Sequence, residues 1–136
     1  MILLDTTPLV ALCDDRDALH ERALTDLDRL GAQPLVLCQP VLTEACFLLA
    51  GRVERARLGA LLEALSIRPL ELQDEDDAWK RVLAWLDRYA EHEPDFADGF
   101  LVVSSSLNRR ARVWTYDSGF RTTWRREDGS RVPLFR

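Results

Sequence analysis

The sequence predicts an α/β fold, with a central, mostly parallel sheet of four to five strands flanked by helices on both faces and residues 1–136 forming one domain. Three observations lead there. Short apolar runs without polar alternation, Ile2 to Leu4 and Leu35 to Leu37, suit strands buried on both faces. Helical stretches separate these runs, the rhythm of a parallel sheet built with crossovers. A chain of 136 residues is one ordinary domain, expected to bury roughly two thirds of its unfolded surface, and it carries no internal repeat, linker or low-complexity segment.

The first strand, Met1 to Asp5, ends in an acid. Thr6, Thr7 and Pro8 supply a capping hydroxyl and a first-turn proline, so a short helix is expected over 8–13. Ligands bind at such strand-to-helix joints in open α/β sheets. A longer helix runs from Asp17 to Leu30, with Leu19, Ala23, Leu27 and Leu30 on one face, and Gly31 ends it. The second strand lies between Pro34 and Cys38. Pro40 opens a helix over 41–50 that is apolar nearly all round and is therefore expected to be enclosed by protein, with Glu44 inside it.

Gly51 separates that helix from another over 53–67, where Leu58, Leu61, Leu62 and Leu65 recur at helical spacing; Arg68 to Leu72 reads as a short third strand. Asp74 to Asp77 complement the dipole of the next helix, whose expected buried face is Trp79, Val82, Leu83, Leu86 and Tyr89. Asp95 begins a further helix that reaches about Asn108 and carries Asp98 in its first turn. Arg112 to Tyr116 is a fourth strand, followed by Asp117 and a brief helix at Ser118 to Phe120. Val132 to Phe135 reads as a last edge strand.

Bulk properties narrow the function classes. Cys13, Cys38 and Cys46 are odd in number and lack C-x-x-C spacing, which favours buried thiols in a reduced, cytoplasmic protein. His20 and His92 stand in no ligand pair, so zinc is disfavoured and a metal site has to be built from oxygen. No stretch is apolar for long enough to span a bilayer and the N-terminus lacks signal-peptide features, so no membrane partner is expected. Net charge is -5, yet Arg109, Arg110, Arg112, Arg121, Arg125, Arg126, Arg131 and Arg136 crowd the last quarter.

Parallel strands end at one edge, and the helices that follow them start there. Asp5 and Asp117 end strands, Glu44 follows the second strand, and Asp98 opens the helix leading into the fourth, with Asp95 one turn from it. If strands one, two and four are neighbours, these acids converge. Like charges at such distances repel by several kcal/mol at a protein-like dielectric, so the cluster has to bind protons or cations. An all-oxygen set fits Mg²⁺ or Mn²⁺, and hydrolysis of a phosphodiester is the chemistry expected of it. Each acid also has a plainer reading: Asp5 as a helix cap, Asp95 and Asp98 as a capping box, Asp117 as the cap of the turn at Ser118. Glu44 discriminates, because a carboxylate among apolar side chains costs several kcal/mol unless compensated.

MILLDTTPLVAL, TEACFLL after a proline, PDFADGFLVV and VWTYDSGF, in that order and at that spacing, resemble the PIN domain, and more narrowly the VapC-like toxins of bacterial toxin and antitoxin pairs. The resemblance covers essentially the whole chain. It puts the family's acidic quartet on Asp5, Glu44, Asp98 and Asp117, with Asp95 as accessory acid, Asp5 and Asp98 as metal ligands and Thr115 as polar support. It implies a Mg²⁺- or Mn²⁺-dependent endoribonuclease that cuts RNA, is silenced by a cognate antitoxin and commonly forms a homodimer. The arginine-rich quarter then supplies phosphate contacts, or is simply a solvated basic face. Gly99, where the family usually has alanine, and the serines at 104, 105 and 106 depart from the pattern; the glycine is expected to loosen its helix by ~1 kcal/mol.

The rival reading is a non-catalytic doubly wound cation-binding or interaction module. Its concrete form, a phosphoacceptor domain, wants a lysine at the end of a late strand, whereas Lys80, the only lysine, falls in a predicted helix. Trp114, Phe120 and Trp124 are candidates for base stacking, and Leu12, Leu24, Phe47 and Leu58 for an antitoxin seat.

Overall fold

The computed structural model describes all residues from Met1 to Arg136. Four short strands, β1 (Ile2–Leu4), β2 (Leu35–Leu37), β3 (Arg68–Pro69) and β4 (Arg112–Trp114), form one sheet in the order β3-β2-β1-β4. Every pairing is parallel. β1 is central, with Ile2 opposite both Leu35 and Arg112 and Leu4 opposite Trp114, and its three side chains are buried. That explains an apolar run without alternation: neither face of β1 meets water.

The crossovers are α1 (Thr6–Cys13) and α2 (His20–Leu30), then α3 (Gln39–Leu48) and α4 (Arg52–Ala64), then α5 (Glu75–Arg88) and α6 (Phe96–Leu107); α7 (Gly119–Thr122) follows β4. Chain order steps outward from β1 to β2 to β3, then jumps back across β1 to β4. Right-handed crossovers therefore put α1 to α4 on one face and α5 and α6 on the other. The order of connection reverses between β1 and β4, and this switch point opens at the ends that carry Asp5 and Asp117.

Several expectations need correction. α1 begins at Thr6 because Asp5, not a threonine, is its cap: Asp5 Oδ1 accepts from Thr6 N at 2.7 Å. α2 begins only at His20, since Asp14 and Asp17 each bind backbone amides two residues ahead and hold the intervening chain in turns. Val132 to Phe135 is not a strand; only the bridge between Val113 and Leu134 forms. α3 is not enclosed, for Phe47 is 80% exposed and Leu48 also faces solvent. On α5 the buried stripe is Ala78, Val82 and Trp85; of the expected face Val82 is buried and Leu86 and Tyr89 are half-buried against the core, whereas Trp79 is 52% and Leu83 59% exposed.

Gly99 sets that stripe. A Cβ there would stand 3.0 Å from Val82 Cγ1 and 3.1 Å from Trp85 Cε3, so its absence lets α5 and α6 meet backbone to side chain. Ser105 on α6 also has a reason. Ser105 Oγ donates to Val102 O at 2.7 Å, and the buried Arg126 guanidinium donates to Ser105 Oγ (3.2 Å) and Ser105 O (2.7 Å), tying the C-terminal segment to α6. Trp114, Phe120 and Trp124 are all buried and unavailable for stacking on bases.

Candidate active site

Asp5 leaves β1 at the switch point and is 4% exposed. Both carboxylate oxygens are held: Oδ1 by Thr6 N, Oδ2 by Thr115 Oγ1 at 2.6 Å. Thr115 Oγ1 in turn accepts from Asp117 N at 3.0 Å, so one hydroxyl couples the ends of β1 and β4. Asp117 Oδ1 accepts from Gly119 N at 2.9 Å and turns the chain into α7. On the far side Asp95 and Asp98 make a reciprocal capping box at the start of α6, Asp98 N to Asp95 Oδ1 at 2.8 Å and Asp95 N to Asp98 Oδ2 at 3.2 Å. The capping roles are thus real, and each carboxylate retains lone pairs beyond those its cap consumes.

Electrostatics shows which acids share a field. Burial pushes Asp5 up to about 6 against the stabilising bonds from Thr115 and Thr6, with the charges of Asp117 and Asp95 adding to the rise. Asp98 is pushed up to about 8, first by burial and then by Asp95, Asp5 and Asp117, while its bond from the Asp95 amide opposes. Glu44, half-buried on α3, is raised by burial and then by Asp95 and Asp5. The charges acting most strongly on all three are therefore negative, and the structure brings Asp5, Glu44, Asp95, Asp98 and Asp117 into one field.

Thr6 is a residue sequence reasoning took only for a cap. Its hydroxyl is buried without a hydrogen-bond partner and lies near enough to Glu44 to ease that carboxylate's charge, at longer range than a formed hydrogen bond. Only the contact between α1 and α3 could have revealed it, and no local pattern encodes that. Tyr116, read from sequence only as the end of the fourth strand, also supports the site: its hydroxyl donates to Asp26 Oδ2 at 2.8 Å and its amide to Thr7 Oγ1 at 2.9 Å, fixing the β4 loop that carries Thr115 and Asp117.

The donor set is all oxygen, as Mg²⁺ and Mn²⁺ favour, and the buried, unpartnered Thr6 hydroxyl beside Glu44 fits such a set. No three histidine, cysteine or acidic side chains stand close enough to make a finished cage. Mg²⁺ does not need one, since it keeps several waters and binds through one or two carboxylates. Beside Glu44 and Asp95 opens an apolar groove of about 1210 Å³, lined by Phe47, Leu48, Trp79 and Phe96 among others. No helix is long and apolar enough to cross a membrane.

The PIN domain family profile matches residues 2–124. Among solved structures, VapC20 of Mycobacterium tuberculosis, described as a sarcin-ricin-loop-cleaving toxin, superposes with a TM-score of 0.72 at 23% identity, covering 87% of this chain and 91% of that one. FitAB, in a structure bound to an IR36 DNA fragment, superposes with a TM-score of 0.60 at 23% identity over 88% of this chain and 87% of that one. At such identities the likeness is one of fold. No curated protein sequence matches the chain.

Proposed function

The chain belongs to the PIN domain family, and on that premise we propose that it is an endoribonuclease, the toxin of a toxin-antitoxin pair, acting in the cytoplasm on RNA phosphodiester bonds with Mg²⁺ or Mn²⁺. One observation carries the reading: Asp5, Glu44 and Asp98 are all raised by burial and by negative neighbours at the switch point of the sheet. Fold likeness to a toxin described as cleaving the sarcin-ricin loop favours RNA as the substrate.

Asp5 and Asp98 are the residues that would hold the ion, Asp5 locked by Thr6 and Thr115 and Asp98 by its capping box. Bound there, the ion would supply Lewis acidity at the phosphoryl oxygen and lower the pKa of a water. Glu44, raised and half-buried, takes the proton from an attacking water at its carboxylate oxygen. Asp117, together with Asp95, adds negative field that favours cation entry, and Thr115 positions Asp5 and Asp117 relative to each other.

Residues 1–136 act as one PIN domain in this reading, supported by the ties of the last segment to the rest: Arg126 to Ser105, and Val113 N to Pro133 O at 2.8 Å. The antitoxin seat moves in part from the sequence expectation, for Leu24 and Phe47 are exposed as expected. Leu12 and Leu58 are buried, whereas Phe47 and Trp79 line the open groove that reaches Glu44 and Asp95, so a partner seated there borders the acids. A second copy of the chain competes for the same apolar surface, and the elution volume of the purified toxin distinguishes the two.

The test is cleavage of total cellular RNA with Mg²⁺ or Mn²⁺, against EDTA and against Asp5→Asn and Asp98→Asn proteins of unchanged melting. Metal-dependent cutting lost in both variants is the expected result. Cation binding by calorimetry without any cutting would instead favour a non-catalytic cation-binding module, and no cation binding would return the acids to their capping roles.

A further inference from the structure

An acidic centre repels the polyanion it is proposed to cut, so attraction has to come from beside it. Sequence pointed to the arginine-rich last quarter, but the structure engages part of that charge elsewhere. Arg126 is buried against Ser105, Arg109 pairs with Asp128 at 3.0 Å, and Arg112 donates to Gln33 Oε1 at 2.7 Å. Arg121 and Arg136 are different. Exposed as Arg110 and Arg131 also are, they alone of that quarter's arginines line a concave site of about 300 Å³ with Arg22 and Arg29 of α2, residues that no terminal charge cluster would have suggested.

Asp117 lines this same site, so it begins where the acid centre ends. Asp26, its other acid, is already consumed: it accepts from Tyr116 Oη at 2.8 Å and Arg29 Nη1 at 3.1 Å and pairs with Arg22 at 3.8 Å. The Tyr116 ring holds the Arg22 guanidinium over its face, 4.6 Å from the centroid. Four guanidinium groups thus line the site with two side-chain carboxylates, one of them neutralised and buried. The volume is at the small end for a ligand site and the wall is mostly polar, which suits a compact anion. Planar guanidinium groups match phosphate oxygens in pairs.

We propose that the cleft formed by Arg22, Arg29, Arg121 and Arg136 beside Asp117 binds a backbone phosphate of the RNA next to the one cut at the acid centre. The proposal deepens the ribonuclease reading and rests on it for the identity of the chain bound. Arg22 and Arg29, oriented by Asp26 and Tyr116, form the fixed wall; Arg121 and Arg136 are the free contacts. The cleft attracts the backbone without reading bases, so it contributes affinity and register, not sequence choice.

The experiment uses the full chain in EDTA with a fluorescein-labelled 12-nucleotide single-stranded RNA of mixed sequence, reading anisotropy across a salt series. Arg121→Gln/Arg136→Gln is expected to weaken binding about tenfold at low salt and to flatten the slope of log affinity against log salt by ~0.7 per lost phosphate contact. Arg109→Gln, on the far side and already paired, is expected to leave both unchanged. Equal losses in the two proteins would reduce the cleft to diffuse surface charge and overturn the proposal, as would unaltered binding by the double variant or no binding by the wild type. Asp98→Asn separates the two readings. If it binds RNA with the same dependence on Arg121 and Arg136 while no protein cuts RNA, the cleft stands and the nuclease reading falls; if the wild type cuts RNA and the arginines are silent, the reverse holds.

Discussion

The edge where β1 and β4 end and the layer where α5 meets α6 are built on opposite terms. At the edge, Asp5 is buried and Asp98 half-buried among negative neighbours, and both are driven toward their protonated forms. In the layer, Val82 and Trp85 fill the space that Gly99 leaves, and the one donor of Trp85 is satisfied by Arg125 O at 2.8 Å. The first arrangement spends stability to hold charge where a cation can answer it; the second supplies stability and does no chemistry. Asp98 and Gly99 are adjacent in the chain, so one helical turn serves both, and changes on either side of that boundary should have opposite signatures.

The sharpest contrast is between Asp98→Asn and Trp85→Ala. Asp98→Asn removes a carboxylate that burial and its neighbours disfavour, while its amide oxygen can still accept from Asp95 N. Cleavage is expected to fall roughly 10³-fold, about 4 kcal/mol in the barrier, while the metal-free protein at pH 8 melts no lower than the wild type. Trp85→Ala should do the reverse, costing about 3–5 kcal/mol in denaturant melts and leaving the activity per folded molecule close to wild type below its melting range. A loss of folding in Asp98→Asn, or a loss of cleavage without destabilisation in Trp85→Ala, would erase the distinction between the two regions.

Acidity offers a second way to separate them. Asp5 and Asp98 hold protons more tightly folded than unfolded, so their contribution to stability is complete below about pH 4, the ordinary carboxylate range, and is lost as pH rises through their folded values. The lift of Asp5 from 3.8 to about 6 corresponds to about 3 kcal/mol lost across that window, and Asp98, raised to about 8, extends the loss upward in the same direction. Metal-free protein should therefore melt at progressively lower temperature from pH 5 to pH 8, and Mn²⁺ should restore stability most at pH 8, where it meets deprotonated acids. Scanning calorimetry checks both. A flat or rising profile without metal would show that the acids are not in a shared negative field.

The same contrast explains what could be read from sequence. β1 and β2 were legible because a strand buried on both faces has no alternation to disguise it, and the order of acids followed from parallel geometry once the strands were placed. The α3 surface was misread because apolar character says that a face seeks cover, not that this chain provides it; Phe47 remains exposed beside the groove. Gly99 read as a weakness, since helix propensity sees only the backbone, whereas its role is the approach of Val82 and Trp85. The pairing of Tyr116 with Asp26, which builds one wall of the arginine cleft, spans 90 residues and leaves no local trace.

Gly99→Ala tests the boundary at its narrowest. Helix propensity alone favours alanine by about 1 kcal/mol, so a propensity argument expects stabilisation. The added methyl would lie 3.0 Å from Val82 Cγ1 and 3.1 Å from Trp85 Cε3, inside ordinary contact. Neither neighbour yields easily: Val82 is fully buried, and the Trp85 ring is fixed by its bond to Arg125 O and by Tyr89 and Trp124 at centroid distances of 4.7 and 5.3 Å. Overpacking costs typically about 1–3 kcal/mol, so the net expectation is a loss of about 1 kcal/mol, read as a melting point lower by a few degrees. Val82→Ala should relieve part of it, making the double variant more stable than the two single losses combined would allow. A higher melting point in Gly99→Ala would mean that α5 and α6 can separate at little cost, and the layer would then no longer be the rigid counterpart that holds Asp98 against its own charge.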